Sequence, residues 1–164
     1  MRAKGIVRAL GIGVVLWALA LACAPGLARA ADRTVRIAVA APLTGNLASA
    51  GEDIKAGVAM LVEAINAAGG VRGTRVEAVY FDDLCEPREA AMVAVPIAMD
   101  PDIVGVVGHI CSSAHLAALP TYVREGVPVV TPTATSVVIS SKNRDGEGRV
   151  WSFRTVYRDD FQGK

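Results

Sequence analysis

The chain has 164 residues, of which 52% are hydrophobic but only 5% aromatic, so its apolar mass is aliphatic. With 17 basic and 16 acidic residues the net charge is +1, which offers no electrostatic argument for nucleic acid, and the hydrophobicity excludes intrinsic disorder. No fixed period runs through the chain and its three cysteines are few, which sets aside collagen-like, repeat and disulfide-framework architectures.

The first 30 residues have a texture of their own. Arg2, Lys4 and Arg8 make a basic start, residues 9–22 are an uncharged apolar run, and Ala28-Arg29-Ala30 puts small residues where a signal peptidase reads. This is the three-part pattern of a secretory signal cleaved after Ala30. The run of 14 residues would rise about 21 Å as a helix, short of the roughly 20 residues that a membrane span needs. Lipoprotein processing at Cys23 is the alternative, although Ala20 stands where a leucine usually precedes such a cysteine. Cleavage removes Arg2, Lys4, Arg8 and Arg29, four of the 17 basic residues, and none of the 16 acids, leaving 13 against 16 and a net charge of −3 over residues 31–164. It also removes Cys23, leaving Cys85 and Cys111. An even count in an oxidising compartment suggests one disulfide, the alternative being two buried thiols.

From residue 34 strands and helices alternate. A β-branched strand is predicted over 35–40, followed by a turn-rich loop over 42–51. From Glu52 the residues Ile54, Val58, Leu61, Ile65 and Ala68 form one helical stripe. Glu52 and Asp53 are expected in its first turn, where the dipole favours acids, and Gly69-Gly70 ends it. A second strand is predicted over 76–81. Glu86-Pro87 opens a helix toward Met99, which Pro96 should kink or shorten. A third strand covers 103–107. Cys111-Ser112-Ser113 then caps a helix toward Arg124, with a bend at Pro120. A fourth strand is predicted over 127–130, a polar loop over 131–135, and a fifth strand over 150–154.

This order predicts an α/β fold: a three-layer, doubly wound parallel sheet. Such sheets bind ligands beyond the carboxyl ends of their strands. The loops over 42–51, 109–113 and 131–136 lie there, and all carry Ser or Thr hydroxyls. Ser112 or Ser113 reads either as a plain N-cap or as an anion site at a helix start. Thr131, Thr133 and Thr135 read either as a polar turn or as a cleft lining. In the latter case Thr135 helps to bind a carboxylate and backbone carbonyls accept from an ammonium.

Other chemistry finds less support. The loop after the first strand has no GxGxxG and no P-loop lysine, and Gly69 to Gly73 falls on the opposite sheet edge, so a nucleotide cofactor is not expected. Asp82 and Asp83 should point to opposite faces and read as solvated loop acids or caps. His109 and His115 lack same-face helical spacing and any zinc spacing around them, so core or surface roles are expected and no metal. No GxSxG elbow is present.

The remaining residues carry a resemblance. Ile37-Ala38-Val39-Ala40-Ala41-Pro42-Leu43-Thr44-Gly45, Ile65-Asn66-Ala67-Ala68-Gly69-Gly70, Phe81-Asp82-Asp83-Leu84-Cys85-Glu86-Pro87, Gly108-His109-Ile110-Cys111-Ser112-Ser113 and Thr131-Pro132-Thr133-Ala134-Thr135 together resemble the leucine/isoleucine/valine-binding proteins. These are type I periplasmic binding proteins that feed ABC importers. The resemblance implies a two-lobed fold closing on an amino acid. Ser112 and Thr135 would hold the α-carboxylate, the Thr133 carbonyl and Thr135 hydroxyl would meet the ammonium, and Ala134 would lie beside them. It also implies the Cys85–Cys111 disulfide.

Two departures stand out. Ala50 occupies a position where close relatives often carry a pocket-lining tyrosine. The chain ends at Lys164, whereas the family is about twice as long, so residues 31–164 read as the N-terminal lobe, with 159–163 as the start of a crossing segment. The expectation is an exported, periplasmic, non-catalytic component with no cofactor. It would capture branched-chain or other aliphatic amino acids and deliver them to a membrane permease. A ligand-sensing receptor lobe, a binder of another small amide or carboxylate, and an α/β enzyme are the alternatives.

Overall fold

A computed structural model describes residues 34–162; the signal assigned to residues 1–30, its cleavage point Ala30 and the alternative at Cys23 lie outside them. Five strands form one sheet: β1 (Thr34–Ala41), β2 (Arg75–Asp82), β3 (Ile103–Gly108), β4 (Val129–Thr131) and β5 (Ser152–Arg154). Their order is β2-β1-β3-β4-β5, and every pairing is parallel. Helices α1 (Ala48–Ala67), α2 (Pro87–Met99) and α3 (Ser112–Glu125) make the crossovers. Short helices α4 (Val138–Lys142) and α5 (Asp159–Gln162) follow β4 and β5. The sequence pattern does not predict α4, which is only five residues long. The doubly wound α/β sheet expected from the alternation is the fold observed. Its order reverses between β1 and β3, and such a switch point opens a crevice beyond the strand ends.

The two faces of the sheet are dressed differently. On one, Ala38 and Ala40 of β1 and Val106 of β3 pack with Ala90, Ala94 and Ile97 of α2 and Ala114, Ala118 and Leu119 of α3 in a single buried cluster. Alanine dominates because its short side chain lets helices sit close to strands that are themselves buried. Val39, also fully buried, points the other way, as strand alternation requires, beneath α1. There β1 and β2 are covered, while Val104, Val130 and Phe153 remain 49%, 38% and 49% exposed. Val39, Val107, Val130 and Phe153 stand in register across four strands, so one apolar row runs from a covered half of the sheet into an open one.

Three local expectations are corrected. Helix α1 starts at Ala48, so its first turn holds no acid, and Glu52 and Asp53 fall beyond that turn. Packing sets this start: a Cβ at Gly51 would run into the Pro42 carbonyl, and glycine lets the helix begin against the end of β1. Its stripe is only partly buried, with Leu61 61% exposed, because α1 covers half of its sheet face. Pro96 and Pro120 do not end their helices. Both are solvent-exposed, where the carbonyl that each deprives of a partner can turn to water. Gly126, with φ of 70°, closes α3 in the left-handed conformation. Strand β4 begins after Pro128, whose carbonyl accepts the Val106 N–H at 2.9 Å.

Candidate functional site

The loops after β1, β3 and β4 meet at the carboxyl edge of the sheet. The first is tied down by Asp82 at the end of β2, which accepts from the Leu43 N–H at 2.9 Å, the Leu84 N–H at 3.0 Å and the Thr44 hydroxyl. Burial acts to raise the Asp82 pKa, but the Thr44 hydroxyl and the surrounding amides outweigh it and hold the group below its ordinary value. The second and third loops are joined directly. The Thr133 hydroxyl donates to the Ile110 carbonyl at 2.7 Å, and the Ser136 N–H donates to Ser112 Oγ at 3.2 Å.

Ser112 is the first residue of α3, and the N-cap is Cys111, with no side-chain cap bond. Neither serine is the plain cap that the sequence suggested. A hydroxyl carries one donor and two acceptor positions. Ser112 Oγ accepts from Ser136 and donates to no partner among the described residues, so its proton can turn outward, beside the unsatisfied N–H groups of a 14-residue helix. That combination suits an anion. Thr135 is half-buried and Thr133 exposed. Ala134 is fully buried; its N–H donates to Thr131 Oγ1 at 3.0 Å and its carbonyl accepts from Arg154 at 3.2 Å. The rim therefore presents Ser112, Thr133 and Thr135, with Ala134 beneath it.

A polar layer underlies the rim, and sequence reasoning missed most of it. Asp83 is fully buried, not a solvated loop acid. Its carboxylate accepts from the Cys85 N–H at 2.8 Å and lies 2.6 Å from His109 Nδ1. His109 Nε2 lies 3.0 Å from the Tyr122 hydroxyl. Burial, then the charge of Asp83, raises the Tyr122 pKa, so the phenol keeps its proton. Nδ1–H donates to the Asp83 carboxylate, and Nε2 pairs with the Tyr122 hydroxyl, which can donate or accept. The His109 carbonyl accepts from the Thr131 hydroxyl at 2.7 Å, which carries the network into the third loop. His115 stands edge-on to His109 at 6.3 Å between ring centroids, despite the spacing that argued against a shared site, and its Nε2 lies 2.8 Å from Ser152 Oγ. Burial, then the charge of His109, lowers the His115 pKa to about 4.

Local chemistry places these groups. A Cβ at Gly108 would run into the Ala40 carbonyl, so glycine alone lets β3 end that close to β1 and turn His109 inward. Cys85 and Cys111 form a disulfide with Cα atoms 5.5 Å apart, within the range that a bridge requires, and it ties the loop after β2 to the start of α3. Two signals in the sequence mark the buried layer. Asp83 has the strand parity of Val79 and Phe81, which pack on the core. His115 lies on the helical stripe of Ala118, Leu119 and Tyr122, all buried.

Residues 34–163 match the periplasmic binding protein family. The chain is 42% identical over 146 residues to the leucine-, isoleucine-, valine-, threonine- and alanine-binding protein of Pseudomonas aeruginosa, a match covering 89% of this chain and 37% of that relative. It is 33% identical over 129 residues to the Leu/Ile/Val-binding protein of Escherichia coli, covering 79% of this chain and 34% of the relative. Its structure superposes, with a TM-score of 0.69 and 30% identity, on the branched-chain amino acid transporter substrate binding protein of Streptococcus pneumoniae in complex with isoleucine; the match covers 77% of this chain and 35% of that one. The chain thus spans little more than a third of the length of these relatives.

Proposed function

The chain belongs to the periplasmic binding protein family, and on that premise we propose that residues 31–164 are the N-terminal lobe of an exported protein that captures branched-chain or other aliphatic amino acids for an ABC importer. The proposal includes the signal over residues 1–30, a periplasmic location and delivery to a membrane permease. Ser112 and Thr135 grip the α-carboxylate, and the Thr133 carbonyl and Thr135 hydroxyl meet the ammonium. The reading draws its support from one observation above all: the Ser112 hydroxyl, its oxygen engaged by Ser136, has its proton free at a helix N-terminus and lies one hydrogen bond from the loop that carries Thr135. The ligands named for the similar proteins support the amino-acid class.

A second reading, a binder of other small carboxylates, is favoured by the Ser112 hydroxyl at the start of α3, which suits an anion without calling for an ammonium. Calorimetry on the protein expressed from its full reading frame separates the two. A panel of aliphatic amino acids and their deaminated carboxylates should show tight binding only where both charged groups are present. Ser112→Ala combined with Thr135→Ala should weaken that binding by about a hundredfold, the loss of two charge-assisted hydrogen bonds. Unchanged affinity in the double variant would remove these residues from the site.

A further inference from the structure

Resting on that reading, we propose that Arg154 is the positioning residue of the carboxylate grip, turning the Ala134–Thr135 peptide so that the Thr135 N–H faces the ligand. Arg154 ends β5, one strand beyond the three loops of the rim. Its guanidinium donates to the Ala134 carbonyl at 3.2 Å, the Ser136 carbonyl at 3.1 Å and the Ser140 hydroxyl at 3.1 Å. These acceptors bracket Thr135. In a trans peptide the C=O and the following N–H point in opposite directions. An arginine that draws the Ala134 carbonyl to itself therefore drives the Thr135 N–H away, toward the rim.

The next peptide unit is held at both ends. The Thr135 carbonyl accepts from the Asp159 N–H at 3.1 Å, and the Ser136 N–H donates to Ser112 Oγ. Among the described residues the Thr135 N–H has no such partner, which leaves it, like the Thr133 N–H, an open donor of the loop, next to its own hydroxyl and across from that of Ser112. Arg154 makes no ion pair among the described residues. Its charge is spent on carbonyls, and a cation behind the Ala134 carbonyl polarises that peptide and strengthens its N–H as a donor. Burial, then the charge of Arg158, holds the Arg154 pKa below the ordinary arginine value, as expected of a guanidinium satisfied by carbonyls in place of water. Lysine cannot reproduce this, because it is a single point of charge without a planar fork.

The test uses the protein expressed from its full reading frame, with Arg154→Gln and Arg154→Lys beside the wild type. Leucine affinity is measured by calorimetry and the Thr135 amide proton is followed by NMR. Arg154→Gln should bind roughly ten- to a hundredfold more weakly, and Arg154→Lys, which keeps the charge and loses the fork, should remain at least about fivefold weaker than the wild type. At saturating leucine the Thr135 amide proton should move downfield in the wild type and fail to do so in Arg154→Gln. If the glutamine variant does not fold, Arg154→Lys carries both readouts. Affinity within about threefold of the wild type, or an unchanged Thr135 movement at saturation, would overturn the role of Arg154, since a purely structural clamp leaves the bound amide as it was. A wild-type protein that binds no amino acid overturns instead the reading on which this role rests.

Discussion

The rim that carries Ser112, Thr133 and Thr135 and the layer of Asp83, His109, Tyr122 and Thr131 beneath it are joined within the same loops, yet they differ in what each polar group has left to offer. In the lower layer each named side chain is buried and engaged in the chain of bonds that runs from Asp83 through His109. In the rim Ser112 and Thr135 are open enough to meet solvent, and the Ser112 proton has no acceptor among the described residues. Buried groups that lose a partner forfeit a full desolvation penalty, whereas exposed groups exchange a partner for water. The lower layer should therefore govern stability, and the rim should govern affinity with little effect on folding.

Three measurements can break or sharpen this contrast. The largest effect is expected from His109→Ala, which strands the buried Asp83 carboxyl and should cost about 3–5 kcal/mol in urea denaturation. A loss below about 1 kcal/mol would put the pair on a par with a surface contact and erase the difference between the layers. Next is the pH dependence set by His115. Its folded pKa of about 4 lies below the ordinary histidine value of 6.5, so the folded protein resists a proton that the unfolded chain accepts. The stability this contributes is fully present above pH 6.5 and is lost as pH falls toward 4. The loss should be roughly 3 kcal/mol. His115→Phe should flatten that slope, and a variant with the wild-type slope would relieve His115 of the role. The smallest effect belongs to the rim: Ser112→Ala should change unfolding stability by less than about 1 kcal/mol, read in the same urea titration, while weakening the ligand.

Much of the fold was legible in the sequence because it rests on local patterns. Strand positions, the order of alternation, the hydroxyl-bearing carboxyl edge and the even cysteine count all follow from neighbours a few residues apart or from composition. The limits of those patterns are visible at particular residues. The pattern places the start of α1 too late because Gly51 reads as a loop residue until Pro42 is known to lie against it. Pro96 and Pro120 read as breaks until their exposure is known. Asp83 reads as a twin of Asp82, although alternate parity sends one to the Leu43–Thr44 loop and the other into the core.

The sequence by itself determined an α/β chain with a hydroxyl-bearing edge, a pair of cysteines and the resemblance that named its family. Only the tertiary structure decided which polar groups are spent and which are free. His109 meets Asp83 across 26 residues of chain, Ser136 meets Ser112 across 24, and Arg154 reaches back 20 to Ala134. Periodicity tells which face a side chain takes, because that depends on backbone geometry alone. The partner that it finds there depends on how distant segments are packed, and that partner decides whether a hydroxyl, a carbonyl or an imidazole holds the fold or meets a ligand.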